Sequence, residues 1–245
     1  MISGNRVRRL AVLLHNWMGL LVGIQIIFWF VGGLVMTVLP LDLVRGERSM
    51  AEQVPVSVSN EEVQAVLPQL DVAGIRQISA HTLAGGRVLQ VTDGAGNTLL
   101  YSGATGTLLS PIGAEVAEQV ALLDFDYRAE NTQVSAISVE WITKEPGDFR
   151  RALPVWRVNL DDPDGTRIYV SPDTGRVMAR RNDYWRVFDF FWMLHIMDYD
   201  EREDFNHPLL IITTLTSTLF VFTGVVLLYF RFWPGARRKK VAKKT

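Results

Sequence analysis

An α+β domain held by two transmembrane α-helices is the architecture that this 245-residue sequence predicts. Three observations lead there. Two long stretches carry no charged residue, every acid in the chain lies between them, and within that acidic region one helix-plus-strands pattern occurs twice.

The apolar stretches are residues 10–39, with His15 taken as neutral, and residues 208–230. Both exceed the roughly 20 residues that a helix needs to cross a bilayer. The first is too long for a signal-peptide core and is followed by no clear small-residue cleavage site, so it is read as an anchor. Arg6, Arg8 and Arg9 precede it; Arg231, Arg237, Arg238, Lys239, Lys240, Lys243 and Lys244 follow the second stretch, with no acid in either tail. All 26 acids lie from Asp42 to Asp204 beside 15 of the 25 bases, a net charge of −11 hidden within an overall −1. The positive-inside rule therefore predicts cytoplasmic termini, with residues 41–206 in the periplasm of a bacterium and the chain in the inner membrane. Beside a span, the basic tail reads as a membrane-surface feature, so no nucleic-acid partner is expected. The absence of cysteine excludes disulfides, thiol nucleophiles, iron–sulfur clusters and covalently attached c-type haem.

The predicted segments follow in order: a cytoplasmic N-terminus at 1–9, transmembrane helix 1 at 10–40, a linker at 41–58, a first repeat at 59–112, a second at 113–182, an interfacial aromatic helix with an acidic loop at 183–206, transmembrane helix 2 at 207–232, and a basic tail at 233–245. In the first span His15, Gly19 and Gly23 fall on one stripe. Two readings stand: a helix-packing groove, or a histidine ligand beside a glycine-lined slot for a planar macrocycle. Gln25 and Thr37 are further polar residues within the span.

The first repeat opens with SNEEVQAVLPQL, a helix with Ser59 or Asn60 as N-cap and acids in its first turn, followed by strand-like runs at 74–83, 87–92 and 97–101. The second has a helix at 114–123 and strand-like runs at 136–142, 155–160 and 167–170. At one constant offset Asp93 meets Asp162, Gly96 meets Gly165, Ser102 meets Ser171, Thr105 meets Thr174 and Gly106 meets Gly175. These are turn formers, so the repeated Thr-Gly is read as structure, with each glycine supplying a positive φ after a strand. The stretch YWRVFDFFWMLHIMDY then places Trp185, Phe188, Trp192 and His195 on one helical face, as expected of a helix lying at the lipid headgroup level.

The run PVWRVNLDD…GTRIYVSPDTGRVMAR resembles the end of a PepSY domain, and LLYSGATGTLL resembles a degenerate copy of it. LHNWMGLLVGIQIIFWFVGGLVM is similar to the opening span of the PepSY-associated transmembrane family, and WMLHIMDY and the Thr-Gly of TLFVFTGVVLLYF also fit that family. The resemblance implies two PepSY-like helix-plus-antiparallel-sheet repeats. Larger members with four or more spans are linked to ferric-siderophore reduction through b haems, which carries His15 and His195 over as candidate haem ligands. This chain has two spans, so a haem-bearing bundle would require a homodimer or another membrane subunit beside the lipid bilayer.

From the residues themselves, His195 and His207 both fall at the outer membrane edge and could share a b-type haem, with Asp198 or Asn206 hydrogen-bonded behind the ligating rings. Gly19 and Gly23 are the candidate haem or helix-packing slot. His81, in a strand-like run, is expected to be a solvated surface histidine. The acids from Asp198 to Asp204 read as a solvated loop, and no metal site is assigned. GAGNTLLYSG sits in a hairpin and is no dinucleotide motif, and no hydrolase or nucleotide-binding pattern appears. Three functions remain. One is a non-enzymatic membrane-tethered module that binds or regulates an envelope partner, another a b-haem electron-transfer subunit, and the last an assembly subunit packing through its glycine and threonine stripes.

Overall fold

The computed structural model describes residues 4–52, 55–70, 74–126 and 134–232. The chain divides into two compact units, one formed by the N-terminal helix with the chain from Phe188 onward, the other by Leu39–Val187.

The first unit is built on two long apolar helices, α1 (Gly4–Val38) and α6 (Pro208–Phe232). At about 1.5 Å per residue they are about 52 and 37 Å long, enough to cross a bilayer core of about 30 Å. Both are long and apolar enough to cross a membrane. Their ends follow from local chemistry: α1 stops two residues before Pro40, whereas α6 begins on Pro208, whose missing N–H costs nothing at a first helical position. The helices run antiparallel, and their outward faces (Leu21, Ile24, Phe30, Ile212, Leu215) are exposed leucine, isoleucine and phenylalanine, as a lipid solvent requires. Helix α5 (Asp183–Ile196) precedes α6, joined to it by the loop 197–207.

The second unit opens with a short helix α2 (Leu41–Val44) and a 3₁₀ turn at Glu47–Ser49. Helix α3 (Asn60–Val66) starts at a complete capping box: the Ser59 hydroxyl accepts the Glu62 N–H while the Glu62 carboxylate accepts the Ser59 N–H. Then comes an antiparallel meander, β1 (Ile75–Leu83), β2 (Gly86–Asp93) and β3 (Thr98–Ser102). Helix α4 (Ala114–Asp124) leads into a second antiparallel sheet ordered β4 (Ala136–Ile142), β5 (Val155–Leu160), β6 (Arg167–Val170), β7 (Val177–Arg181). The class is α+β with two antiparallel sheets. The six strand-like runs in the sequence are strands; β7 is a seventh that the pattern VMARR hides, because it is short, rich in charge and at a sheet edge.

Alternation places the cores. In β2, Val88 turns inward with Leu83 and Leu100 to meet Ala117 and Ala121 of α4 and Val158, Ile168 and Val170 of the second sheet, so the sheets share a core around α4. On the opposite face of the first sheet Leu89, Val91 and Tyr101 pack on Val66 of α3. On the opposite face of the second, Tyr169, Val155 and Ala179 pack on Phe149, whose ring stacks on Tyr169 at 4.5 Å.

Candidate functional site

In the membrane unit His15 faces α6. Its ring stacks on Phe220 with centroids 4.2 Å apart and planes 9° from parallel. Its Nδ1 lies 3.0 Å from the Thr223 hydroxyl oxygen and 3.3 Å from the Phe220 carbonyl. The Thr223 hydroxyl itself donates to that carbonyl at 2.7 Å, which leaves its oxygen free to accept from Nδ1. Gly224 makes room for the ring: a Cβ there would stand 3.3 Å from His15 Cε1. The Thr223–Gly224 pair is thus a receptor for His15, one residue bonding it and the next admitting it. Gly19 serves the same helix pair, since a Cβ at that position would come within 2.9 Å of Phe220, whereas Gly23 has nothing within 4 Å. The ring of His15 also lines a cavity of about 400 Å³ with Gly224, Leu227, Leu228 and Arg231.

The register of the helix pair can be followed from these contacts. Four residues along α1 from His15, Gly19 meets Phe220, four residues back along α6 from Gly224. Extending the same antiparallel register sets His207 level with Gly32, and Arg231 level with Arg8. His195 stands at the Gly32 level too, its Nδ1 3.9 Å from where a Cβ of Gly32 would be. By this register His195 and His207 stand at one level and His15 about 25 Å away along α1. Among the described residues the Nδ1 atoms of both His195 and His207 are buried without a hydrogen-bond partner.

Helix α5 ends against α1. Gln25 Nε2 donates to the Leu194 carbonyl at 2.8 Å, and Trp29 Nε1 donates to the His195 carbonyl at 2.7 Å. These carbonyls belong to the last turn of α5, where no intrahelical partner exists. Gln25 and Trp29 are one helical turn apart, so a single face of α1 caps a second helix. An amide side chain in an otherwise apolar span was the sequence signal for this contact; its partner was not legible.

The loop after α5 is organised by Asp198, which is buried and accepts backbone N–H groups of Asp200, Glu201, Glu203 and Asp204 at 3.0–3.3 Å. Burial works against its charge, but these amides outweigh it and hold the carboxyl below the usual range. Asp198 therefore orders its own loop. Asn206 likewise turns its N–H to Asp204 at 2.7 Å. Trp192 donates to the Arg202 carbonyl at 3.1 Å, and Arg202 pairs with the buried Asp189. Among the described residues no three acidic or histidine side chains converge on a common point.

In the polar unit the paired turns repeat their bonding. Asp93 accepts the Asn97 N–H at 2.8 Å, and Asp162 accepts the Thr166 N–H at 2.7 Å. Ser102 and Ser171 each accept the N–H of the threonine three residues on at 3.3 Å, and Gly106 and Gly175 donate back to Ser102 and Ser171 with φ of +70° and +63°. The two Thr-Gly turns meet different neighbours, Gly106 the α3 backbone at Ala65 and Gly175 the Leu83 side chain. Beside the second turn His81 is half-buried rather than solvated as expected, and it joins the halves. Its Nε2 donates to the Thr174 carbonyl at 3.0 Å and its Nδ1 accepts from Arg176 at 3.3 Å, while Arg176 also reaches Gln90 at 3.1 Å. Burial first, then the Arg176 charge, lowers the His81 pKa below its ordinary value.

The family described as the PepSY-associated TM region matches the chain over residues 12–244. No curated protein and no solved structure matches it.

Proposed function

Because this chain belongs to the PepSY-associated transmembrane family, we propose that it is a two-pass inner-membrane protein with both termini cytoplasmic. It presents two PepSY-like repeats in the periplasm, within residues 59–112 and 113–182, and these bind or regulate an envelope partner without chemistry of their own. Turn hydrogen bonds reproduced at equivalent positions of the two copies support the repeat. The observation that carries partner binding is the outer edge of the second sheet. Among the described residues strand β4 has one neighbour in its sheet, and it exposes Ile137 and Trp141, 68% and 44% accessible, with Trp156 packed behind Trp141 at 4.6 Å. An apolar edge is a surface that soluble domains normally protect, and strand addition is a common way to use one.

A photo-crosslinking residue placed at Ile137 or Trp141 in cells tests this. One discrete adduct common to both positions, and absent from Gln119 on α4, is the expected result. Equal labelling at Gln119, or no adduct at either edge position, would remove the basis for the reading.

A second reading, the b-haem electron-transfer subunit, is favoured by one observation: the unpartnered buried Nδ1 atoms of His195 and His207 at one level of the membrane unit. These two residues would hold the group, Gly32 would leave space beside His195, and one-electron transfer is the chemistry that a haem supplies when bound. His15 and Gly19, tied to α6 by Thr223 and Phe220, would contribute to helix pairing. An absorption spectrum of the detergent-purified protein, oxidised and then reduced with dithionite, should show a sharp b-type band that is lost in His195→Ala and in His207→Ala. A chain that stays colourless after haem is supplied excludes this reading.

A further inference from the structure

The end of the α1–α6 pair remote from His195 and His207 has a feature that neither functional reading uses. An open, largely apolar hollow of about 400 Å³ there is lined by His15, Gly224, Leu227, Leu228 and Arg231. Gly224 has no side chain here, and a Cβ at that position would stand 3.3 Å from His15 Cε1. The charged residues at this end of the helix pair are all basic. By the helix register Arg8 stands level with Arg231, Arg6 and Arg9 flank it on α1, and no acid occurs in residues 1–41 or 205–245. Among the described residues Arg231 forms no ion pair within the protein. A pocket that is greasy along one side and positively charged at one end, in a helix pair that crosses a bilayer, is complementary to a molecule with an acyl chain and an anionic head.

We propose that this cavity is a binding site for an anionic phospholipid, with the phosphate at Arg231 and one acyl chain lying along Leu227 and Leu228 toward His15. The proposal is independent of partner binding and of haem, since it involves neither the polar unit nor the His195–His207 level. The charge of the headgroup supplies the recognition and the cavity supplies the retention, so the site should discriminate on both.

The test uses the full-length protein in mixed micelles of dodecyl maltoside with dioleoyl phosphatidylglycerol, dioleoyl phosphatidylcholine, or glycerol phosphate without acyl chains. Thermal unfolding is followed against lipid mole fraction. Phosphatidylglycerol should raise Tm saturably, while phosphatidylcholine and glycerol phosphate should leave it nearly unchanged. Arg231→Gln should weaken the apparent affinity for phosphatidylglycerol about fivefold, the effect of one interfacial cation. Leu228→Trp, which fills the cavity from an exposed position and leaves the charge in place, should abolish saturation. Equal stabilisation by phosphatidylcholine overturns the headgroup assignment, and a response to glycerol phosphate alone points to a soluble phosphate site instead. Curves for both variants that match the parent would show non-specific adsorption and overturn the site.

Discussion

Gly106 and Gly175 occupy equivalent turns, yet they are not equivalent residues. Both have the left-handed φ that side chains resist by about 1–2 kcal/mol. A Cβ on Gly106 would also run into the Ala65 carbonyl in the α3 backbone, which cannot move without unwinding the helix; a Cβ on Gly175 meets the methyl end of Leu83. Gly106→Ala should therefore lower stability by about 3 kcal/mol and Gly175→Ala by less, measured by chemical denaturation of the detergent-solubilised protein. His81 provides a second test at this scale. Its Nδ1 accepts from a guanidinium, so protonation both breaks that bond and sets two cations face to face. Because its folded pKa lies below the ordinary 6.5, the unfolded chain binds the proton first. The stabilisation is complete above pH 6.5 and is lost as pH falls from there through the folded value. Tm should drop between pH 7.5 and 5.5 and the slope should flatten in His81→Gln. Glu62 does not confuse this window: Arg87 first and then the Ser59 amide hold it at about 2, so its contribution remains until pH falls below about 4.5.

Between elements, the membrane unit is held by a small number of polar contacts in an apolar setting. Gln25 and Trp29 satisfy two carbonyls at the end of α5, and hydrocarbon offers those carbonyls no alternative donor. Gln25→Leu and Trp29→Phe should each destabilise the unit by about 1–3 kcal/mol, the cost of an unmet buried carbonyl. In a double-mutant cycle read by thermal unfolding in detergent the two losses should be non-additive, because both residues cap the same helical turn. The hydroxyls of α6 behave differently. Thr216 and Thr218 donate to carbonyls four residues back in their own helix at 2.7 and 2.8 Å. A threonine-rich span is thus not by itself a glue between helices. Thr223 differs, because Gly224 beside it lets a histidine from α1 approach its oxygen.

For the whole molecule, the topology rests on charge, and the lack of native cysteine makes it directly testable. A single cysteine at Arg150 should react with a membrane-impermeant maleimide in spheroplasts, and one at Thr245 should react only after lysis. The reverse pattern would invert the protein in the membrane and set the polar unit in the cytoplasm. That outcome would end the envelope-partner reading while leaving the lipid site intact.

The sequence determined what short-range chemistry controls. The charge-free stretches at 10–39 and 208–230 specify helices that can cross a bilayer. Ser59 and Glu62 write a capping box within one turn, and Asp-x-x-Gly and Thr-Gly patterns write the paired turns of the polar unit. Only the tertiary structure decided which distant groups meet. His15 finds Thr223, Gln25 finds the Leu194 carbonyl and His81 finds Thr174, each pair far apart along the chain. A turn is settled by the backbone freedom of the few residues inside it. These pairings instead depend on helix register, on the space left by a missing side chain, and on the rule that a polar group removed from water must find a partner.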